Sequence, residues 1–358
     1  MNNTKVYPPM SVVFQNLHFD RNWDITDGSS LWSLFILNNI SETLVRVGNN
    51  SDVVSALSSG WIFSTDKRVL RFSISDKYTF HDGKPIRPED VLESLKRSFR
   101  SDGMKHSEIR KSLLGNLDDS VQLKGNVIEI RLKGPLNALA YKFSISEMGI
   151  APQDYAKKTP KDGLHNLSGP YKVVDFTSKK LHLEKHSGHP LLHPNSPDRV
   201  NLIEVPNKDA VDYYHNHDNV VLIGSGYANA LKYIDLTGKK YISSFVFTEF
   251  FIPNIESENL NTKQKRKSVF STIKRAFDKI SIDERVAEKT NQIFTKNNLS
   301  RLKEEKLSDI YKGDTGSVPK KISVLLFGFM HDTPIIPLLR KELESMGVNL
   351  EVLNPKDK

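Results

Sequence analysis

The chain has 358 residues, a formal net charge of +8 and no cysteine, with a pI near 9.2 and a mean hydropathy of −0.43. That length exceeds what one hydrophobic core organises, so two or more lobes are expected. Disulfides and thiolate metal sites are excluded, and no apolar run approaches the roughly 20 residues of a membrane-spanning helix.

The positive balance raises the question of nucleic acid, but lysines and arginines are scattered in pairs. No basic helix is interleaved with aromatics as RNA and DNA modules require. The densest run, Lys263, Lys265, Arg266 and Lys267, opens a predicted helix, where cations oppose the dipole. At most it suits an acidic transporter face or an anionic lipid surface. The start, MNNTKVYPPMSVVF, lacks an apolar h-region, so no signal peptide is expected in it.

In chain order, Ser11–Leu17 reads as a first strand. Asp27, Gly28, Ser29 and Ser30 form a turn and N-cap before a helix from Leu31 to Leu44, lined on one side by Trp32, Phe35, Ile36, Ile40 and Leu44. Trp61 reads as a core or edge residue. Leu70, Phe72 and Ile74 alternate with Arg71, Ser73 and Ser75, the period of a half-buried strand. Asp82-Gly83 supplies a turn. Pro88 suits a first helical position, with Glu89 and Asp90 at the positive end of the dipole. Val91, Leu92, Leu95 and Phe99 share one face of that helix.

The wording of this unit, TFHDGKPIRPEDVLESLKR, resembles the signature of the family 5 bacterial extracellular solute-binding proteins, the peptide- and nickel-type receptors of ABC importers. Tyr78, Phe80, His81, Asp82, Gly83, Pro85, Asp90 and Val91 stand where that signature places them, whereas Arg87-Pro88 replaces the usual Thr-Ala. The signature marks the family's scaffold and not its ligand. Glu42-Thr43-Leu44 matches the end of the family's opening helix, and Ala56, Leu57, Trp61 and Asp66 match its next segment.

Further along, VQLK-GN-VIEIRL reads as a hairpin turning at Gly125-Asn126. Ser168, Gly169, Pro170 and Tyr171 resemble the family's return from its inserted lobe, with Leu167 in place of a glycine. His182, His186, His189 and His193 are spaced four, three and four apart. Alternation with Leu181 and Leu183 argues for a strand with His182 facing solvent, and Pro190 and Pro194 forbid a helix. A surface loop and no specific metal site are expected there. Val220–Ile223 reads as a short buried strand, and Phe245–Ile252 resembles the family's crossing strand, ending near Asn254. A helix is expected over Val269–Ile280. A closing β-α-β unit carries an apolar stripe of Ile335, Leu338, Leu339 and Leu343, with Gly347 just past the helix end.

The resemblance implies an α/β fold of the periplasmic-binding-protein-like type II, with multi-lobed mixed sheets. The expected lobes are 1–46 with 167–250, an inserted lobe 47–166, and a reduced last lobe 251–358, relatives being longer at the C-terminus. It implies a non-enzymatic receptor for a peptide or similar small solute, working with an ABC transporter permease at the periplasmic or extracellular face, without cofactor or nucleic acid. Any membrane contact would run through an anchor or transporter outside this sequence. The expected ligand contacts are Ser29 and Ser30, Ser225, Gly226 and Tyr227, and Phe247, Glu249 and Phe250, at strand ends or on the crossing strand. Aromatics filling a core explain Phe247 equally well. The rival reading is a shortened relative serving as a protein-interaction or sensor domain, although no helix-turn-helix precedes Val12. Hydrolase chemistry has no motif behind it: no G-x-S-x-G, no H-E-x-x-H and no P-loop.

Overall fold

A four-stranded and a five-stranded sheet, with a short two-stranded one, build the first of two units, Met1–Ile223; the second is Gly224–Lys358. The computed structural model describes residues 9–14, 24–26, 31–48, 52–102, 107–136, 138–155, 163–177, 179–206, 208–223, 231–239, 252–285, 287, 289, 318–325 and 334–353. The fold is mixed α/β. In the first unit the elements are β1 (Met10–Phe14), α1 (Leu31–Ile40), β2 (Val45–Val47), β3 (Val53–Ser55), β4 (Ser58–Phe63), β5 (Val69–Ile74) and α2 (Pro88–Arg100). There follow α3 (Glu108–Ser112), α4 (Leu117–Ser120), β6 (Val121–Lys124), β7 (Val127–Arg131), β8 (Tyr171–Phe176), β9 (Lys180–Lys185), β10 (Arg199–Glu204), α5 (Ala210–Asn216) and β11 (Val220–Leu222).

The signature segment builds the four-stranded antiparallel sheet, in the order β4-β5-β7-β6. Leu70, Phe72 and Ile74 point inward along β5, and Gly125 takes a φ of 62° in the β6–β7 turn, as the hairpin reading requires. Helix α2 covers the inner face with Val91, Leu95 and Phe99. At its start the Asp90 carboxylate accepts the Arg87 N–H at 2.8 Å, while the Asp90 N–H donates to the Arg87 carbonyl, the N3 half of a capping box. On β7, Glu129 is buried by the cations around it: Lys124, Arg71 and Arg131 approach it at 2.7, 2.8 and 2.9 Å. Hydrogen bonding, from Lys124 foremost, lowers its carboxyl to about 2.

The second sheet of this unit has the order β11-β1-β10-β9-β8. β1 lies parallel to both β10 and β11, whereas β9 is antiparallel to both its neighbours. Its core joins Phe14 and Val12 to Ile36, Leu37 and Ile40 of α1 and to Leu181 of β9.

Several elements differ in detail from the sequence reading. The first strand is described over Met10–Phe14, residues 15–17 lying outside the described residues, and the opening helix stops at Ile40, where Ser41 turns back on the Leu37 carbonyl through both its N–H and its hydroxyl. Phe35 is partly exposed, and Leu37 takes the interior place instead. β11 is half-exposed and not buried; among the described residues it pairs with β1 alone. The crossing strand Phe245–Ile252 lies outside the described residues but for Ile252.

The second unit contains α6 (Lys263–Lys279), β12 (Lys321–Leu325), α7 (Ile335–Ser345) and β13 (Asn349–Leu353). β12 and β13 pair in parallel, the β-α-β unit the sequence indicates. Thr262 caps α6 by accepting the Lys265 N–H, and the basic run from Lys263 opens the helix as expected, ahead of its apolar positions from Val269. Gly347 takes a φ of 74° after α7. The buried stripe of α7 is Ile336, Leu339 and Leu343; Leu338 is exposed.

Candidate functional site

In open α/β sheets, ligands meet the chain beyond the carboxyl ends of parallel strands. Here β1 and β11 end side by side: Val13 is in register with Leu222, and the Ile223 N–H donates to the Val13 carbonyl at 3.4 Å. The eight expected contacts, Ser29, Ser30, Ser225, Gly226, Tyr227, Phe247, Glu249 and Phe250, all lie outside the described residues. What can be described is the support next to them. Ile223 immediately precedes the 224–227 stretch, and Asp24–Thr26 precedes Ser29 and Ser30 by a few residues.

That second support is braced from two directions. Tyr155 receives the buried Ile25 N–H on its hydroxyl at 3.0 Å, and the Arg97 guanidinium of α2 stands 4.7 Å above its ring centroid, a cation–π contact. Burial raises the Tyr155 phenol and lowers the Arg97 guanidinium from their ordinary values. Asp24 folds back on Thr26, accepting its N–H at 2.8 Å and its hydroxyl at 2.6 Å. Tyr155→Phe removes the one acceptor at the Ile25 N–H while keeping the ring under Arg97. We expect it to cost about 1–2 kcal/mol in urea unfolding, the desolvation penalty of an orphaned donor. No measurable change would show that the Ile25 N–H is satisfied another way.

A polar knot lies where the two sheets of this unit meet. Glu42, at 1% exposure, accepts Arg46 Nε at 2.7 Å and the Thr43 N–H at 3.0 Å on Oε1. Its Oε2 stands 3.1 Å from His189 Nε2, and neither of these two atoms has a hydrogen-bond partner. The Glu42 N–H donates to Ser168, whose hydroxyl donates to the Ile150 carbonyl. His186 and His81 both lie on the Gly169 carbonyl. This corrects the surface-loop reading: His189 is buried, at 4% exposure, because its ring packs edge-on against Tyr78 and reaches Glu42. His182 does alternate with the buried Leu181 and Leu183. Sequence spacing alone could not find the knot, because its members come from four separate segments. Glu42 in the E-x-L phrase and His81 in the signature were its visible traces. Among the described residues no group of three or more His, Asp or Glu is placed to hold a metal ion.

The family model described as bacterial extracellular solute-binding proteins, family 5 Middle, matches residues 52–312. The chain belongs to this family. Family 5 receptors of solved structure share its fold. OppA of Listeria monocytogenes bound to peptide is 12% identical, over 96% of this chain and 76% of that one, with a TM-score of 0.65. NikA of Brucella suis in complex with Fe(III)-EDTA is 13% identical, over 98% and 76%, at 0.70. The Escherichia coli murein tripeptide binding protein MppA is 14% identical, over 97% and 74%, at 0.66. The family 5 chain described here thus spans about three-quarters of the length of these neighbours. Like them it is of the periplasmic-binding-protein-like type II, and its relatives are binding proteins.

Proposed function

We propose that this chain captures a small solute, a peptide in the first instance, and passes it to the permease of an ABC importer at the periplasmic or extracellular face of the membrane. The observation that carries this reading is the family match over residues 52–312. The choice of peptide rests on two of the neighbours, one bound to peptide and one named for a tripeptide. Binding and release are the work assigned, with no chemical step and no cofactor.

The proposed contacts are Ser29, Ser30, Ser225, Gly226, Tyr227, Phe247, Glu249 and Phe250. The first five follow the described supports at Thr26 and Ile223. We also propose lobes of 1–46 with 167–250, of 47–166, and of 251–358. The five-stranded sheet, drawn from 10–14 and 171–222, and the four-stranded sheet, drawn from 58–131, support the first two.

A thermal-shift screen of di- to pentapeptides tests the function. A ligand at a hundred times its Kd stabilises the folded state by about 2.7 kcal/mol, a shift of several degrees. Tyr227→Ala and Phe250→Ala are expected to reduce it. A flat screen, with no solute released from gently purified protein in mass spectrometry, would overturn the reading in favour of a protein-interaction domain.

A further inference from the structure

Two imidazoles at the sheet junction share one acceptor. His81 Nε2 lies 3.1 Å, and His186 Nδ1 3.2 Å, from the Gly169 carbonyl oxygen. A carbonyl can only accept, so both nitrogens carry hydrogen. The opposite nitrogens are then acceptors: His81 Nδ1 takes the Leu167 N–H at 3.1 Å, and His186 Nε2 takes the Thr79 hydroxyl at 3.1 Å. The rings pack edge to face with centroids 5.2 Å apart. A second proton on His81 would point its Nδ1–H straight at a backbone N–H. The His81 bonds therefore hold only while that ring is neutral; at His186 the Thr79 hydroxyl can turn to accept, so burial and not a lost bond opposes a second proton there.

These bonds join parts of the chain that belong to different sheets. Thr79 and His81 sit in the turn that leaves β5, whereas Gly169 and His186 flank β8 and β9. Backbone bonds follow the same seam: the His81 N–H donates to Leu167, and the Asp82 N–H to the Asn166 side chain.

We propose that His81 and His186 form an acid-sensitive latch between the two sheets of the first unit, closed when both imidazoles are neutral and opened by their protonation. The charged and titratable groups facing them are few. Lys172 on β8 and His189 both oppose a positive charge on His186. Asp82 and Lys84 pair with each other at the rim, 2.9 Å apart. Glu42 and Arg46 pair behind His189, beside Tyr78. His189 packs its ring against Tyr78 and reaches Glu42.

Burial, ahead of every other cause, depresses His81 to about 3 and lowers His186 as well. Both closed-state values lie below the ordinary 6.5. The closed form is thus fully favoured above pH 6.5 and loses ground as the pH falls towards the depressed values. Between pH 6 and pH 5 His81 alone raises the open fraction roughly eightfold, and His186 adds to it in the same direction.

Hydrogen exchange on the full chain, corrected for the intrinsic rate at each pH, decides it. Peptides covering 76–87, 163–170 and 186–193 are expected to lose about tenfold or more of their protection between pH 6 and pH 5. Those covering β5, β7 and β10 should hold theirs. Asparagine at 81 keeps an oxygen for the Leu167 N–H, and glutamine at 186 keeps one for Thr79, so the doubly substituted H81N, H186Q chain should lose most of that pH dependence. Seam protection that does not change with pH, or that falls only together with the sheets, would overturn the latch. So would a doubly substituted chain that folds and keeps the full dependence.

Discussion

Glu42→Ala is expected to destabilise the first unit by about 3 kcal/mol, the upper end of the desolvation cost of leaving buried polar groups unsatisfied. The reasoning turns on what is left behind. Arg46 has a third of its side chain exposed and can turn to water. His189 cannot: its side chain is fully buried, and its Nε2 has Glu42 alone within reach. The Thr43 N–H loses its acceptor as well. Glu42→Gln keeps the shape and one acceptor oxygen, and should recover part of the loss. Urea unfolding of the single variants and of a cycle with His189→Phe would show a coupling above about 1 kcal/mol. A total cost for Glu42→Ala below that figure would mean that the knot is solvated on opening and not held by the pair.

Gly169→Ala is expected to cost about as much, by a different route. A Cβ at this position would come 2.5 Å from the Ser41 backbone nitrogen and press on the Ile40 carbonyl carbon. Backbone cannot swing aside as a side chain can, so the return strand must shift. The Gly169 N–H donates to Ile40 at 3.0 Å and the Gly169 carbonyl receives both latch histidines, so that shift would strain three bonds at once. About 3 kcal/mol follows, the upper end for overpacking. Gly188, in the neighbouring loop with open space where a Cβ would go, is the control: its alanine variant should unfold within about 0.5 kcal/mol of the parent. Equal midpoints for the two variants would remove close approach as the reason for glycine at 169.

The periodic parts of the chain were legible because their physics is local. Leu70, Phe72 and Ile74 announced β5, Gly125-Asn126 announced the hairpin, and Gly347 marked the end of α7, each through a rule spanning a few residues. The family signature added what periodicity could not, the family and with it the type II fold. Faces were harder. Leu37 replaced Phe35, and Ile336 replaced Leu338: each helix buries a single stripe, turned by a residue or two from the expected one. The knot was invisible because Glu42, His81, Gly169 and His189 meet only through tertiary folding, and a buried histidine looks the same in sequence as an exposed one. His189 followed by Pro190 read as a loop, and a loop it is, though one whose ring is turned inward.

The place of β1 in its sheet has a consequence for synthesis. Met10 pairs with Val200 and Ser11 with Val220, so this strand, among the earliest made, receives both its neighbours near the end of its unit. The four-stranded sheet needs nothing beyond Arg131, and can close while β1 still waits with both edges bare. Long-range parallel pairing is slow to form, and waiting strand edges invite wrong partners. A nascent chain halted between residues 131 and 199 therefore holds every strand of the four-stranded sheet while β1 has neither of its neighbours.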